Sequence, residues 1–216
     1  MKCILLSDTH EAHELVRIPD GDVLIHAGDV SLRGVGEAIL RFLDWFAAQP
    51  HRHKVLVAGN HDRWFEQEPA RAATECIQRS IVYLRDRAAH VEGVKFYGSP
   101  WQPKFCDWAF NLGSVSELAA KWDRIPEDTE VLVTHSPPHR IFDLSEHEER
   151  MGCVALRHRV LRGLPKLKLH TFGHVHPAYG GREHVRKSDG RATMFCNAAI
   201  CNSFYLPTHK AIEVDL

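Results

Sequence analysis

At 216 residues the chain is long enough for one well-buried core, and 44% hydrophobic with 25% charged residues is the make-up of an ordinary globular protein. A formal net charge of -1 excludes the broad basic field that nucleic-acid polymers and anionic membrane surfaces select, so any phosphate recognition has to be local. No run approaches the ~20 apolar residues of a membrane span.

The opening Met1-Lys2-Cys3-Ile4-Leu5-Leu6 enters a strand without the apolar stretch and cleavage site of a signal peptide, so a reducing cytoplasm is the expected compartment. The strand, Lys2 to Leu6, ends at the polar cluster Ser7-Asp8-Thr9-His10. The same form recurs at Val23 to Ala27 before Gly28-Asp29, and at Lys54 to Ala58 before Gly59-Asn60. Between them Val35, Ala38, Ile39, Phe42, Leu43 and Phe46 fall at helical spacing, and Pro50 stops that helix. Strands buried on both faces and joined through helices predict parallel βαβ units with ligands at their carboxyl ends.

Further on, Val82 to Leu84, Ala88 to Val91 and Val94 to Tyr97 are short strands, the last two joined by a Glu92-Gly93 hairpin turn. A helix is expected at Ser116 to Asp123 with Ser114 or Ser116 as its cap. The strand Glu130 to Thr134 delivers His135, and Pro137-Pro138 ends regular structure. A helix at Cys153 to Arg162 leads to the strand Leu167 to Phe172, which delivers Gly173-His174-Val175-His176. Two strands around Asp189-Gly190 and a last run at Ala211 to Val214 close the chain. The pattern predicts an α/β fold, two mixed sheets packed face to face with helices outside, in one domain over 1–216.

Six cysteines (Cys3, Cys76, Cys106, Cys153, Cys196, Cys201) form no Cys-x-x-Cys pair, which argues against a zinc ribbon or a thioredoxin-like redox site; packed thiols are expected. The strand-end clusters carry a different metal signature. They supply carboxylate oxygen, amide oxygen and imidazole nitrogen, the donors that hard and borderline ions take. Asp8 and His10, two apart, share one side of an extended chain. Asp29 has two oxygens to bridge two ions, and Asn60 adds an uncharged oxygen that leaves them Lewis-acidic. Taken singly each has an ordinary role: Asp29 as a turn carboxylate, His135 as a loop histidine, Asn60 as a left-handed turn residue. Together, at successive strand ends, they read as a two-metal hydrolytic site.

The ordered pattern Asp8-x-His10, Gly28-Asp29, Gly59-Asn60-His61-Asp62, His135, Gly173-His174-x-His176 resembles the calcineurin-like metallophosphoesterase superfamily. Ser7-Asp8-Thr9-His10, Ile25-His26-Ala27-Gly28-Asp29, Tyr97 to Pro103 and Pro137-Pro138 resemble its smaller, brain 239-like metallophosphoesterase-domain branch. The resemblance implies a four-layer α/β/β/α sandwich. It assigns Asp8, His10, Asp29 and His176 to one ion and Asp29, Asn60, His135 and His174 to the other, with manganese foremost and iron or zinc as alternatives. Some members of the branch lack the last histidine; His176 is present here and implies a complete centre. His139-Arg140 departs from the branch, which has a small residue such as glycine there.

Such a centre is expected to hydrolyse a phosphoester by a hydroxide bound between the metals, without a covalent intermediate. His61 is expected to face substrate and protonate the leaving oxygen, with Asp62 hydrogen-bonded to its imidazole. Arg63 is expected on phosphate and Trp101 against a base, while His13 and His26 are expected to support the ligand loops. The branch implies a phosphodiesterase for small diesters or nucleotides such as cyclic nucleotides, with neither a nucleic-acid polymer nor a membrane as partner. The alternatives are a phosphomonoesterase, including a protein phosphatase, and a non-catalytic metal-binding scaffold.

Overall fold

A computed structural model describes residues 1–180 and 192–216 in full and the backbone of 182–186. Asp189-Gly190, about which two strands are expected, lies outside the described residues.

One sheet holds β1 (Lys2–Leu6), β2 (Val23–His26), β3 (His53–Leu56), β4 (Ile81–Tyr83) and β13 (Ile212–Asp215) in the order β13-β1-β2-β3-β4. β1 to β4 run parallel, and β13 is antiparallel to β1. The other sheet holds β5 (Arg87–Val91), β6 (Val94–Ser99), β9 (Val131–Thr134), β10 (Leu169–Phe172), β11 (Arg182–Arg186) and β12 (Ala192–Asn197) in the order β11-β12-β10-β9-β6-β5. Its four middle strands are parallel and both edges antiparallel, so each sheet is mixed. A small ribbon pairs β7 (Gln102–Pro103) with β8 (Asn111–Leu112). The helices are α1 (Gly36–Ala47), α2 (Arg63–Gln67), α3 (Pro69–Gln78), α4 (Val115–Trp122) and α5 (Val154–His158).

Three apolar interfaces stack these elements into four layers. Successive residues of a strand face opposite ways, so Ile4, Leu6, Leu24 and Leu56 pack on Ile39, Phe42 and Phe46 of α1. Cys3, Leu5, Val23, Ile25 and Val55 meet Phe96, Val131, Val133 and Leu169 of the other sheet. The far side of that sheet, with Tyr97, Leu132 and Phe172, packs on Leu118 and Trp122 of α4 and Leu156 of α5. The order α/β/β/α is the one expected.

Local chemistry sets the boundaries. Val35 precedes α1 and is exposed, so the apolar face of that helix begins at Ala38. Glu92 and Gly93 both take positive φ, 51° and 80°, the backbone of a type I′ hairpin turn whose twist matches its strands. Ser114 caps α4 in a reciprocal pair with Glu117. α5 stops at His158 and widens into a π-type turn over Arg159–Gly163. α2 and α3 have no counterpart among the expected elements: α3 buries only Ala72 and Cys76, too little to show an apolar stripe. Five cysteines are buried and Cys106 is exposed. Among the described residues, no helix is long and apolar enough to cross a membrane.

Candidate metal centre

Parallel strands end on the same side, and the loops leaving β1, β2, β3, β9 and β10 converge where the two sheets meet. A bridge between Ser7 and Ala199 ties the sheets together there. All seven expected ligands gather at this point. Asn60 Oδ1 lies 2.9 Å from His135 Nε2 and 2.8 Å from His174 Nδ1, and Asp29 Oδ2 lies 3.3 Å from His135 Nε2. On the other side, His10 Nε2 is 3.2 Å from His176 Nε2 and 3.7 Å from Asp29 Oδ2, and His176 Nε2 is 3.4 Å from Asp8 Oδ1. Asp29 alone belongs to both groups.

These separations test the fit of metal directly. Donors ~2.1 Å from one ion, at octahedral to tetrahedral angles, stand about 3.0–3.4 Å apart. The far nitrogens of three rings are already committed: Nδ1–H of His10 donates to Ser31 O (3.2 Å), that of His135 to Ala27 O (2.9 Å) and that of His176 to Asn202 O (2.9 Å). A carbonyl only accepts, so each contact fixes the tautomer and turns the Nε2 lone pair inward. Two lone pairs 3.2 Å apart, on His10 and His176, repel unless a cation or proton lies between them. The residues fit a pair of ions.

The electrostatics agree. Burial would raise Asp29, but the imidazoles of His135 and His61 hold it well below the usual carboxylate range. Burial would raise Asp8 too, and the neighbouring imidazoles of His176 and His135, wherever they carry positive charge, bring it down. Burial would lower His135, yet Asp29 and Asp8 outweigh it and lift the ring to about 9. His10 and His174 follow their burial, to about 4 and about 3. The two carboxylates thus draw positive charge to the floor of the site.

The backbone is bent to make this possible. Asp8, His10, Asp29 and His174 have φ of 53°, 43°, 57° and 69°, left-handed values that cost energy in a non-glycine residue. Asp8 and His10 therefore do not share an extended segment as expected; a coiled turn brings them together, held by Asp8 N–H on Gly28 O (2.8 Å) and His10 N–H on Asp29 O (3.1 Å). Gly28 has φ 103°, and a Cβ there would lie 2.6 Å from Gly59 N and 2.7 Å from His135 Nδ1. Only glycine lets the ligand loops approach so closely.

His61 lines the cavity above the cluster, about 270 Å³ in volume. Its Nδ1–H donates to Leu32 O (2.7 Å), and its ring stacks on Trp108, centroids 4.0 Å apart at 22°. Asp62 does not touch this ring, contrary to expectation. Its buried carboxylate accepts from Val30 N (3.0 Å), Ser31 N (3.1 Å), Ser31 Oγ (3.0 Å) and Gly59 N (2.8 Å), binding the Asp29 loop to the Asn60 loop. Burial, with the charge of Asp29 added, pushes its pKa up to about 6.

Arg63 and Trp101 also lie elsewhere than expected. Arg63 donates to the carbonyl of Asp107 and reaches over the Trp108 ring. Trp101 bonds Asp86 (2.8 Å) and packs on Phe110, and neither residue lines the cavity. His13 packs on Phe42 and Trp45, away from the ligands. His26 does support them: Gly28 N–H donates to its Nδ1 (3.2 Å), leaving Nε2–H for Thr9 Oγ1 (3.0 Å). His139-Arg140 is accommodated because Asp143, fully buried, binds Arg140 N (2.7 Å) and Arg150 Nη1 (2.7 Å).

Sequence reasoning missed Trp108, Tyr205, Phe105 and Glu146. Tyr205 sets its ring edge-on to His10 at 4.7 Å, and Phe105 approaches His174. Glu146 accepts from Ser203 and joins two loops of the wall. None carries a motif, since each comes from a loop far along the chain from its neighbour.

The sequence pattern of calcineurin-like phosphoesterases matches residues 1–178. Metallophosphoesterase domain-containing protein 1 of Homo sapiens is 35% identical over 235 residues, covering 99% of this chain and 70% of the human one. A UPF0046 protein of Caenorhabditis elegans is 35% identical over 229 residues, covering 96% of this chain and 76% of its own length. A solved structure from Thermus thermophilus superposes with a TM-score of 0.63 at 14% identity, over 91% of this chain and 88% of that one, a likeness of fold. The match over most of the chain and the identity across nearly all of it lead to one assignment: this chain belongs to the calcineurin-like phosphoesterase family.

Proposed function

We propose that the chain is a two-metal phosphoesterase acting on small phosphodiesters, cyclic nucleotides among them. The observation that carries this reading is the convergence of seven donors into two groups sharing Asp29, with the far nitrogens of His10, His135 and His176 held by carbonyls. Asp8, His10, Asp29 and His176 would hold one ion, and Asp29, Asn60, His135 and His174 the other. When bound, such a pair supplies Lewis acidity and a more acidic water. Manganese suits the mixed oxygen and nitrogen donors, as do iron and zinc.

The remaining steps belong to the chain. His61 has Nδ1 committed to Leu32, so Nε2 is the atom left to give a proton to the leaving oxygen. Its backbone N–H donates to Asp29 Oδ1 (2.8 Å), which ties the acid to the bridging carboxylate. The charge of the cavity wall supports the diester reading over the monoester one. Among the described residues lining it none is Lys or Arg, while Glu146 and Glu149 are present. A monoester dianion entering that wall meets repulsion that a diester monoanion meets half as strongly.

The test is turnover by manganese-reconstituted protein of bis-p-nitrophenyl phosphate against p-nitrophenyl phosphate. Higher kcat/KM on the diester is expected. Monoester turnover without diester turnover sinks the proposal in favour of a phosphomonoesterase, and turnover of neither leaves the scaffold reading.

A further inference from the structure

The aromatic ring beneath His61 belongs to a segment that docks on the Asn60 turn at several points. Ala109 N–H donates to Asn60 O (3.0 Å), Phe110 N–H to Glu66 Oε1 (2.8 Å), and Arg63 to the carbonyl of Asp107. Trp108, half-buried, sits in the middle of that docked stretch. Its ring lies nearly parallel to that of His61, centroids 4.0 Å apart, and the Arg63 guanidinium carbon stands 5.2 Å from the Trp108 centroid. Arg63, Trp108 and His61 thus form a chain of contacts ending at the cavity.

We infer that Trp108 is a positioning residue for His61, held in turn by Arg63. The inference rests on the reading of His61 as the proton donor to the leaving oxygen. An imidazole needs three restraints to aim one nitrogen. Its backbone is fixed by Asp29, its Nδ1 by the Leu32 carbonyl, and neither contact resists tilting of the ring out of its plane. The rings of His10, at 4.8 Å and 81°, and Tyr205, at 6.1 Å and 62°, stand crosswise to it, and neither lies flat against its face. A flat indole against the imidazole face supplies the missing restraint, and arginine is the cation best suited to hold an indole by its face. This gives Arg63 a place in the site without contact to phosphate. Misplacement of a catalytic group by about 1 Å costs on the order of 100-fold.

The restraint predicts a dependence on the leaving group, because p-nitrophenolate departs without a proton and phenolate or alkoxide does not. The experiment compares methyl p-nitrophenyl phosphate with methyl phenyl phosphate on manganese-loaded wild type, His61→Ala, Trp108→Ala, Trp108→Phe and the His61→Ala/Trp108→Ala double variant. Trp108→Ala is expected to lose ~10- to 100-fold in kcat on the phenyl ester and far less on the nitrophenyl ester, with KM little changed. Trp108→Phe should recover most of the loss, and Trp108→Ala should cost nothing further once His61 is alanine. Independently of turnover, the ring protons of His61 in metal-free protein should shift when the indole is removed. Should Trp108→Ala fail to fold, Trp108→Leu keeps the bulk without the stack and carries the same comparison. A flat leaving-group response in His61→Ala overturns the donor role and this inference with it. A steep response in His61→Ala beside a flat one in Trp108→Ala, or full additivity in the double variant, overturns the inference alone.

Discussion

At the scale of single residues, two buried groups make separable predictions. Asp62 serves loop geometry, so Asp62→Ala strands the N–H groups of Val30, Ser31 and Gly59. Each unsatisfied buried donor costs about 1–3 kcal/mol, and a loss of at least ~3 kcal/mol in urea unfolding is expected. Lost activity at unchanged stability would instead return Asp62 to the chemistry. His135 is raised to about 9 by Asp29 and Asp8 against its burial. A histidine raised on folding stabilises fully below its unfolded pKa of ~6.5, and that contribution drains away as pH climbs through about 9. Chelator-treated protein should therefore melt lower at pH 9 than at pH 6.5, and His135→Asn should flatten that slope. The candidate ligands were legible because each is a rare donor at the end of an apolar run. The groups that aim them were not: Ser31, Ala27, Leu32 and Asn202 act through backbone carbonyls, which no side-chain pattern reveals.

At the scale of elements, the strand-to-loop junctions are the working parts. Gly173 follows β10, and a Cβ there would overlap the Asp8 carboxylate and the Ser7 side chain. Gly173→Ala must push Asp8 off its bond to His174 N–H (2.9 Å), so metal affinity by titration calorimetry should fall ~10- to 100-fold. Unchanged affinity would mean that Asp8 holds no ion. The elements that read clearly from sequence were those with many buried positions, such as α1 with five. α2 and α3 did not, because Arg71, Glu75 and Arg79 crowd the helix, and its anchoring comes partly from Arg79 pairing with Asp44 and Glu75. The Asp8 turn was misread as extended for a related reason. Its left-handed residues are offset by the bonds they donate to the carbonyls of Gly28 and Asp29, which lie about twenty residues onward in the sequence.

At the scale of the whole molecule, a metal pair held at this centre would also fasten the two sheets together. The candidate ligands follow β1, β2 and β3 on one side and β9 and β10 on the other. An ion at 100 times its Kd adds about 2.7 kcal/mol to the folded state, and for a chain of this size that is a rise of roughly 5–10 °C in Tm. Calorimetric melting with and without chelator checks it; coincident curves would deny that the site takes metal. The layering was legible because alternate strand residues are apolar on both faces, whereas pairing of β13 with β1 joins opposite ends of the chain and leaves no local trace. The order of the ligands along the chain bears on how the protein is made. His176 is steered by the carbonyl of Asn202, which follows β12 and the Ser7–Ala199 bridge. All seven donors leave the ribosome before the group that aims the last of them, so an ion held by Asp8, His10, Asp29 and His176 would find its site complete only after Asn202 has been made and folded into place.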